Sequence, residues 1–364
     1  MTLSLYIARR FVWLLLGIIL GFATILLLID SLDQLRRLSG QGISLGQATL
    51  LAAMNMPSSL YRILPLLMIL AAITLFMGLA RSSELVVVRA SGRSGLRFLA
   101  TPVLAALLFG AVAVAVLNPL VAATLKRYDT LLSKYAQDGE SVLSINDDGL
   151  WLRQGGPDGQ TVIHAARANA DGTELFSVTF LSFDAAGLPS ARTEAREARL
   201  GDGAWALVDA KTWPLNLANP EASAARETGT RLPSDLTRDA IRDSFGTPAA
   251  ISIWNLPSYI AGLERAGFSA RSHRVWLQTE LALPLLLAAM VLIAAGFTMR
   301  PTRSGKTGTY VLLALLGGFG IFFLRNFAQV LGENGQIPIA MAAWSPPAAA
   351  VLFAVGLLLH LEDG

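Results

Sequence analysis

The amino-acid sequence predicts a polytopic α-helical membrane protein with six transmembrane helices and a periplasmic, jelly-roll-like all-β domain inserted between helices 3 and 4. Apolar residues make up 53% of the 364 residues and charged residues only 15%, whereas charged residues are about 25% of a typical soluble domain. The mean hydropathy is +0.52. Six long apolar stretches are divided three and three by one polar insert, which has the size of a small domain.

The apolar stretches each approach the roughly 20 residues that a helix needs to cross a hydrocarbon core about 30 Å thick. The predicted spans are Phe11–Ile29, Ile63–Ala80, Phe98–Val121, Leu281–Met299, Tyr310–Leu331 and Ala340–Leu359. They divide the chain into residues 1–125 with three spans, the insert 126–274, and residues 275–364 with three more. No small-residue cleavage site follows the first stretch, so we expect a retained span rather than a cleaved signal peptide.

Lysines and arginines of the short loops predict the orientation in the membrane. Arg9 and Arg10 precede the first span, whereas the loop at 332–338 carries Glu333 and no basic residue. The loops after spans two and four contain Arg81, Arg89, Arg93, Arg97, Arg300, Arg303 and Lys306. Both termini are therefore expected in the cytoplasm and the insert outside it. In a Gram-negative cell this means a multi-pass inner-membrane protein with a periplasmic domain.

The insert has the pattern of a β domain followed by one helix. Six short runs are separated by turn signals such as Gly155-Gly156-Pro157, and strands at this spacing favour a sandwich or jelly roll. The runs are Ser141–Ile145, Leu150–Arg153, Thr161–Ala166, Leu175–Phe183, Ala191–Leu200 and Trp205–Leu215. In the fourth run, alternation predicts that Leu175 and Val178 lie on opposite faces. An amphipathic helix at about 253–266 is expected at the membrane surface before the fourth span.

No motif in the chain indicates an active site, a metal site or a cofactor. The segment Ser304–Thr307 resembles the end of a phosphate-binding loop, but Arg300 stands where that motif needs a glycine. The three histidines stand far apart, without the spacing of metal ligands. The chain has no cysteine, which excludes disulfides and thiol nucleophiles. An intramembrane enzyme would need paired ionisable residues inside its spans, and only Arg325 lies clearly inside one. The sequence therefore predicts a non-catalytic protein.

The loop after the second span, RSSELVVVRASG, predicts a short helix at about 82–92. Ser82 or Ser83 can cap this helix, Glu84 lies in its first turn and Gly92 can close it. Because an apolar helix exposed to the cytosol needs a partner, we expect it to dock into another protein. The alternative is a frayed extension of span two that lies on the lipid. The candidate docking residues are Glu84, Leu85, Val86, Val88, Arg89 and Gly92.

Four segments of the chain resemble the LptF/LptG family of lipopolysaccharide export permeases. The most specific is MGLARSSELVVVRASG after span two, and the others are LDQLRR after span one, SIWNLPSYIAGLERAGFSARSHRVW before span four and IPIAMAAWSPP at span six. The resemblance covers the whole chain, including the layout of three spans, β insert and three spans. The choice between the two paralogous subunit types stays open at this point.

The resemblance implies a non-enzymatic half of an ABC transporter. Family members pair LptF with LptG over a dimer of the ATPase LptB, draw lipopolysaccharide from the outer leaflet of the inner membrane, and pass it through their jelly-roll domains to a periplasmic bridge that begins with LptC and LptA. By this resemblance, Glu84 to Gly92 would be the coupling helix set into the ATPase. ATP hydrolysis would belong to that separate subunit.

The resemblance also implies a lipid cavity lined by spans one and five. The candidate lipid-binding residues are Asp30, Arg36, Arg37, Phe322, Phe323 and Arg325. Asp30 departs from the lysine expected at the end of span one, and Arg325 from the acidic or neutral residue common in span five. An arginine at membrane depth is costly unless it faces a cavity or a partner, and its fork suits phosphate. The alternative is that Arg325 pairs with Asp30 or snorkels to the surface.

Gly17 and Gly21 in span one have the G-x-x-x-G spacing, which lets two helix backbones approach closely in a membrane. We expect them to form a helix contact, although glycine is also simply common in spans.

A membrane-anchored periplasmic sensor or scaffold is the rival from another functional class. Such a protein usually needs a cytoplasmic output domain, and the longest cytoplasmic piece predicted here is about as long as the loop Arg81–Arg97. Co-purification with a separate ATPase subunit would distinguish a transporter from a sensor.

Overall fold

The structure, a computed structural model, describes residues 2–38, 43–82, 84, 95–136, 143–146, 149–156, 159–169, 172–201, 203–217, 219–234, 236, 237, 241, 247–265, 269–299 and 307–362. These residues fall into two compact units. One consists of residues 1–137, 249–254 and 271–364, and the other of residues 138–248 and 255–270.

The first unit consists of long apolar helices. They are α1 Thr2–Arg37, α2 Leu45–Arg81, α3 Gly95–Val112, α4 Asn118–Ala136, α6 Arg271–Thr298, α7 Thr307–Glu333 and α8 Ile339–Glu362, with a π-helical segment Ala113–Leu117 that joins α3 to α4. Six segments in the described part of the chain are long and apolar enough to cross a membrane, with α3, the π segment and α4 together providing the third. The prediction of six apolar helices of membrane-spanning length is confirmed.

The helices extend beyond the apolar stretches that predicted them. Helix α2 begins at Leu45, where Ser44 and Gln47 form a reciprocal capping box that supplies partners for two of the free N–H groups of the first turn. Helix α6 begins at Arg271 rather than at the predicted Leu281. Arg271 itself donates to the carbonyls of Gly332 and Ile337, and so it holds the turn between α7 and α8.

Helices α2 and α6 form the packed centre of this unit, and small residues let their neighbours approach them. A Cβ added to Gly110 of α3 would lie 2.5 Å from the Pro284 Cα of α6, and one added to Gly318 of α7 would lie 2.6 Å from the Ile69 side chain of α2. Close approach at glycines is how transmembrane helices gain dispersion energy without a hydrophobic driving force between them.

The second unit contains one antiparallel sheet and the helix α5 Leu256–Arg265. The strands are β1 Leu143–Asn146, β2 Gly149–Gly156, β3 Gly159–Ala168, β4 Glu174–Phe183, β5 Pro189–Gly201, β6 Ala204–Pro214, β7 Ala225–Glu227 and β8 Thr230–Pro233. The six predicted strands correspond to β1 to β6. Consecutive strands pair from β1 to β7, and β8 also pairs with β6. This meander confirms an antiparallel sheet, while the jelly-roll arrangement stays a prediction.

In four neighbouring strands, β3 to β6, the alternation of buried and exposed residues is interrupted once, at positions that lie side by side. Ala165, Val178, Ala195 and Ala210 are buried neighbours in register, and so are Ala168, Leu175, Ala198 and Leu207, three residues away along each strand. Strict alternation would put residues three apart on opposite faces. The prediction that Leu175 and Val178 lie on opposite faces is therefore wrong. Ser177 and Asp209, between the two rows, take φ values of 54° and 56°, and this left-handed backbone interrupts the alternation.

The sheet curls until its two ends meet at Gln154 of β2. The Gln154 side-chain oxygen accepts from Ser234 Oγ at 2.7 Å and from Trp205 Nε1 at 3.3 Å, and its nitrogen donates to the Pro233 carbonyl at 3.1 Å. Trp205 is fully buried. The polar cluster therefore closes one end of an apolar interior, with its buried donors satisfied as the low dielectric requires.

Candidate functional site

A buried polar junction that the sequence did not predict lies inside the helical unit, near Arg325. Glu280 of α6 is fully buried, and its Oε2 accepts hydrogen bonds from the Tyr61 hydroxyl of α2 and from Asn118 Nδ2 of α4 at 3.1 Å. Its second oxygen, Oε1, has no hydrogen-bond partner among the described residues. Arg325 of α7 is 8% exposed and is close enough to attract the Glu280 carboxylate electrostatically. Four spans therefore meet at one acidic side chain.

The π-helical segment Ala113–Leu117 and Asn118, which follows it, accept two hydrogen bonds from residues 249–254. The Trp254 indole donates to the Ala115 carbonyl of this segment at 3.0 Å, and the Ile253 amide donates to Asn118 Oδ1 at 2.9 Å. Asn118 thus joins the Glu280 junction to segment 249–254. A π-bulge often marks a functional position, and here one of its carbonyls accepts from a tryptophan side chain.

The C-terminal end of α1 has its own polar cluster, in which Asp30 does not pair with Arg325. Asp30 accepts from Asn55 Nδ2 at 2.8 Å and from Gln34 Nε2 at 3.4 Å. Gln34 also donates to the Tyr128 hydroxyl at 2.8 Å. No ion pair between Asp30 and Arg325 is found in the part of the chain that the structure describes, and Arg325 is buried within electrostatic range of Glu280. Their predicted alternative pairing is therefore wrong.

The remaining candidate lipid-binding residues lie on exposed or half-buried surface. Arg36 and Arg37 are exposed at the end of α1, and Arg37 pairs with Asp33 one turn earlier at 2.8 Å. Phe323 is 65% exposed on α7, and its ring meets that of the half-buried Phe322 edge-on at 6.2 Å between centroids. These side chains are accessible to a ligand, and their role in lipid binding stays a prediction.

Gly17 and Gly21 do not touch another described part of the chain. A Cβ added to either glycine would meet nothing within 4 Å. Among the described helical glycines, an added Cβ would come closer than 3.0 Å to a neighbour at Gly110, Gly296, Gly318 and Gly332, none of which lies in α1. A close contact at Gly17 and Gly21 therefore stays a prediction about a second molecule.

Of the predicted docking helix, the structure describes Ser82 and Glu84. Glu84 Oε1 accepts from Ser82 Oγ at 2.7 Å and from Arg10 Nη1 of α1 at 3.1 Å. Ser82 lies at the C-terminal cap of α2. The other candidate docking residues, Leu85, Val86, Val88, Arg89 and Gly92, lie outside the described residues. The helix predicted over 82–92 stays a prediction.

Metal coordination is not indicated among the described residues, which contain no cluster of three or more His, Asp or Glu side chains that could hold an ion. The histidines inside that part of the chain serve other roles. His164, for example, stacks against Trp151 on the sheet, with 4.3 Å between ring centroids.

Sequence reasoning missed Glu280 because the apolar stretch that it precedes begins at Leu281. Two signals were present. Asn118 is a polar residue inside the predicted third span, and Glu280 stands four residues before a proline in a run that is otherwise almost apolar. Polar residues at membrane depth need partners, so each could have been assigned one. The sequence pattern did not show that Asn118 and Glu280, which are 162 positions apart, would pair with each other.

Comparison with known proteins places this architecture in a family. The family model for "Lipopolysaccharide export system permease LptF/LptG" matches residues 5–360. The lipopolysaccharide export system permease protein LptG of Escherichia coli (strain K12) is 26% identical over 345 residues, which cover 92% of this chain and 91% of the relative. The protein of the same name from Haemophilus influenzae is 21% identical over 381 residues, covering 100% of this chain and 99% of the relative. Because the match includes all six candidate spans and all the strands, the chain belongs to the LptF/LptG family of lipopolysaccharide export system permeases.

Proposed function

We propose that this chain is the LptG-type permease subunit of an ABC transporter that extracts lipopolysaccharide from the outer leaflet of the bacterial inner membrane. The family match over residues 5–360 carries this proposal. The LptG type is favoured over its paralogue LptF by LDQLRR and NLPSYI in the sequence and by the two LptG relatives. The chain is a transport component without chemistry of its own.

In this proposal both termini are cytoplasmic, residues 126–274 are periplasmic, and the rest is embedded in the membrane. The periplasmic part is a jelly-roll-like domain followed by a helix at about 253–266 on the membrane surface, and it passes lipopolysaccharide to LptC and through it to the LptA bridge. The apolar interior of the sheet supports this route, because acyl chains need an apolar path through water.

The lipid enters beside helices α1 and α7. Leu16, Leu20 and Leu28 on α1, and Phe319, Phe323 and Phe327 on α7, are among the large apolar side chains that the chain leaves exposed. An uncovered apolar face in a membrane contacts lipid, another subunit or the transported acyl chains. Asp30, Arg36 and Arg37 border this region on α1, and the two arginines suit a phosphorylated headgroup.

Export is driven by a separate ATPase. A dimer of LptB-type subunits binds the segment from Glu84 to Gly92, with Glu84, Leu85, Val86, Val88, Arg89 and Gly92 as the contact residues. A paralogous LptF-type subunit completes the membrane part. The capped end of α2 and the hydrogen-bonded Glu84 carboxylate support a defined, rather than frayed, start of this segment.

Reconstitution tests the proposal directly. The chain is co-expressed with its LptF-type and LptB-type partners, purified, and placed in liposomes with lipopolysaccharide, and ATP-dependent transfer to soluble LptA is measured by crosslinking. We expect transfer with the wild type and a strong loss with Glu84→Ala. Absence of ATPase co-purification would support the sensor or scaffold alternative. Complementation of an LptF deletion, but not of an LptG deletion, would assign the chain to the paralogous type.

A further inference from the structure

Arg10, near the start of α1, is held by three contacts with two residues. Its Nη1 donates to Glu84 Oε1 at 3.1 Å and to the Tyr6 hydroxyl at 3.0 Å, and its guanidinium lies 5.9 Å from the centre of the Tyr6 ring. The Arg10 and Glu84 side chains are 32% and 35% exposed, so both are partly withdrawn from water. The planar guanidinium suits such simultaneous contacts because its donors have a fixed geometry.

Gly78 of α2 leaves room for the Arg10 side chain. A Cβ added to Gly78 would lie 3.1 Å from Arg10 Nη2, closer than most side-chain contacts. The carbonyl of the same glycine accepts from the Ser82 backbone amide at 3.0 Å, and the Ser82 hydroxyl donates to Glu84 Oε1 at 2.7 Å. One carboxylate oxygen therefore receives a donor from α1 and a donor from the end of α2.

The contact between Arg10 and Glu84 connects α1 to the proposed docking segment, which runs from Glu84 to Gly92. Among the six spans, α1 has the smallest share of buried residues. In its most apolar stretch of 18 residues, α1 has only 6% of its residues buried. The Arg10 contact with Glu84 is a charge-assisted bond, the stronger class of hydrogen bond. It links the cytoplasmic end of α1, in the proposed orientation, to the first acidic residue of the segment.

We propose that Arg10 is a positioning residue, which orients the Glu84 carboxylate for the ATPase and couples movement of the docking segment to α1. The inference rests on the proposed function, because it needs an ATPase that binds at Glu84. Arg10 does not itself touch nucleotide or lipid. Because of Arg10, α1 moves together with the docking segment when the ATPase hydrolyses ATP.

The test measures the number of lipopolysaccharide molecules transferred per ATP hydrolysed, in the reconstituted complex. Arg10→Gln should lower this ratio about two- to fivefold, as expected for a half-exposed ion pair, while ATP hydrolysis and complex assembly persist. Arg10→Lys should restore part of the ratio, since it keeps the charge. Arg9→Gln is the matched control, because it removes the same charge from the adjacent, exposed position and should leave the ratio unchanged.

A second variant keeps the charges in place and guards against a folding defect in Arg10→Gln. Gly78→Ala makes the Arg10 guanidinium shift by a few tenths of an ångström without removing any charge, and it should lower the ratio in the same direction but less than Arg10→Gln. The inference is overturned if Arg10→Gln and Gly78→Ala transfer as many molecules per ATP as Arg9→Gln, or if they lower only the thermal stability of the complex. If the wild-type chain does not bind an ATPase subunit at all, the proposed function is overturned instead.

Discussion

The six spans differ sharply in how much of their surface the chain itself covers. In their most apolar stretches, 72% of the residues of α6 and 61% of those of α2 are buried, against 11% for α7 and 6% for α1. Helices α2 and α6, the covered pair, contain Tyr61 and Glu280 of the polar junction. Close glycines of neighbouring helices pack against Ile69 of α2 and Pro284 of α6. The uncovered pair carries the predicted lipid-binding residues.

This difference separates the rigid part of the permease from the part that meets other molecules. A buried acid with several hydrogen bonds fixes its neighbours, because any movement leaves polar groups unpaired in a low dielectric. Apolar side chains that face lipid exchange one apolar neighbour for another at little cost. We therefore expect substitutions in α2 and α6 to change stability, and substitutions in α1 and α7 to change transport.

The largest effect is expected at Glu280. Glu280→Ala leaves the Tyr61 hydroxyl and the Asn118 amide without their acceptor. Each buried donor that loses its acceptor costs about 1–3 kcal/mol. We expect thermal unfolding in detergent to show a loss of this size for Glu280→Ala, and a smaller one for Glu280→Gln, which keeps an acceptor.

Glu333→Ala at the C-terminal end of α7 is the matched control, since Glu333 bonds only to Gln329 among the described side chains. Unchanged stability in Glu280→Ala would show that the junction is not a structural centre, and the contrast between the two classes of span would lose its main support.

A close glycine in the covered part should matter more than one in the uncovered part. Gly110→Ala would place a Cβ 2.5 Å from the backbone of Pro284, and overpacking of this kind typically costs about 1–3 kcal/mol. Gly17→Ala meets nothing within 4 Å, so its effect should stay within about 0.5 kcal/mol. Urea unfolding followed by fluorescence compares the two variants. Equal losses at both positions would refute the distinction.

The number and place of the spans could be predicted from the sequence because the membrane imposes a length and a composition on each one. The ends could not, because polar residues in α6 before Leu281 continue the helix outside the apolar stretch. Glu280 was missed for the same reason. Its partners Tyr61 and Asn118 lie in other spans, and tertiary packing alone brings them together.

The strands show the same limit at a finer scale. Their positions follow from turn signals and strand-forming residues, yet alternation assigned Leu175 and Val178 to opposite faces. In the structure both are buried, because Ser177 between them adopts a left-handed conformation. Serine carries no strong sequence signal for that conformation. The short strands β7 and β8 were missed because Ala225–Glu227 and Thr230–Pro233 contain few strand-forming residues.

Large residues at both positions of the G-x-x-x-G motif should affect transport without affecting the fold. We expect Gly17→Leu with Gly21→Leu to insert normally and to unfold within about 0.5 kcal/mol of the wild type, because a Cβ added at either position has no described neighbour within 4 Å. Lipopolysaccharide transfer should nevertheless fall, since the two leucines would separate α1 from a neighbouring subunit. Wild-type transfer by this double variant would show that the glycines form no such contact.

Arginines at the exposed end of α1 should bind lipopolysaccharide more directly than the buried Arg325. Arg36→Glu and Arg37→Glu should each weaken crosslinking to lipopolysaccharide about fivefold, the equivalent of about 1 kcal/mol per basic residue near an anionic lipid surface. Lysine at both positions should retain most of the signal. Arg325→Gln should chiefly lower stability, because its neighbours are Glu280 and Tyr61. A crosslinking loss confined to Arg325→Gln would reverse this assignment.

The smallest effect is expected on the surface of the sheet, at Glu221. Its carboxylate accepts from Lys211 Nζ at 2.6 Å and from Trp213 Nε1 at 2.5 Å. The hydrogen bond from Lys211, followed by that from Trp213, lowers the Glu221 pKa from its ordinary value of 4.5. A carboxyl group with a lowered pKa stabilises the folded state above its ordinary pKa, and this contribution is lost as the pH falls through the lowered value.

Thermal unfolding of the wild type and of Glu221→Gln should therefore differ slightly at pH 7 and converge as the pH falls below about 4. Because the group is exposed, water and salt screen the interaction, so the difference should also shrink at high ionic strength. Glu227→Gln on the neighbouring strand β7 is the control, since it removes a carboxylate without touching the pair with Lys211. A difference between wild type and Glu221→Gln that persists at low pH would show that Glu221 contributes through packing and hydrogen bonding rather than through its charge.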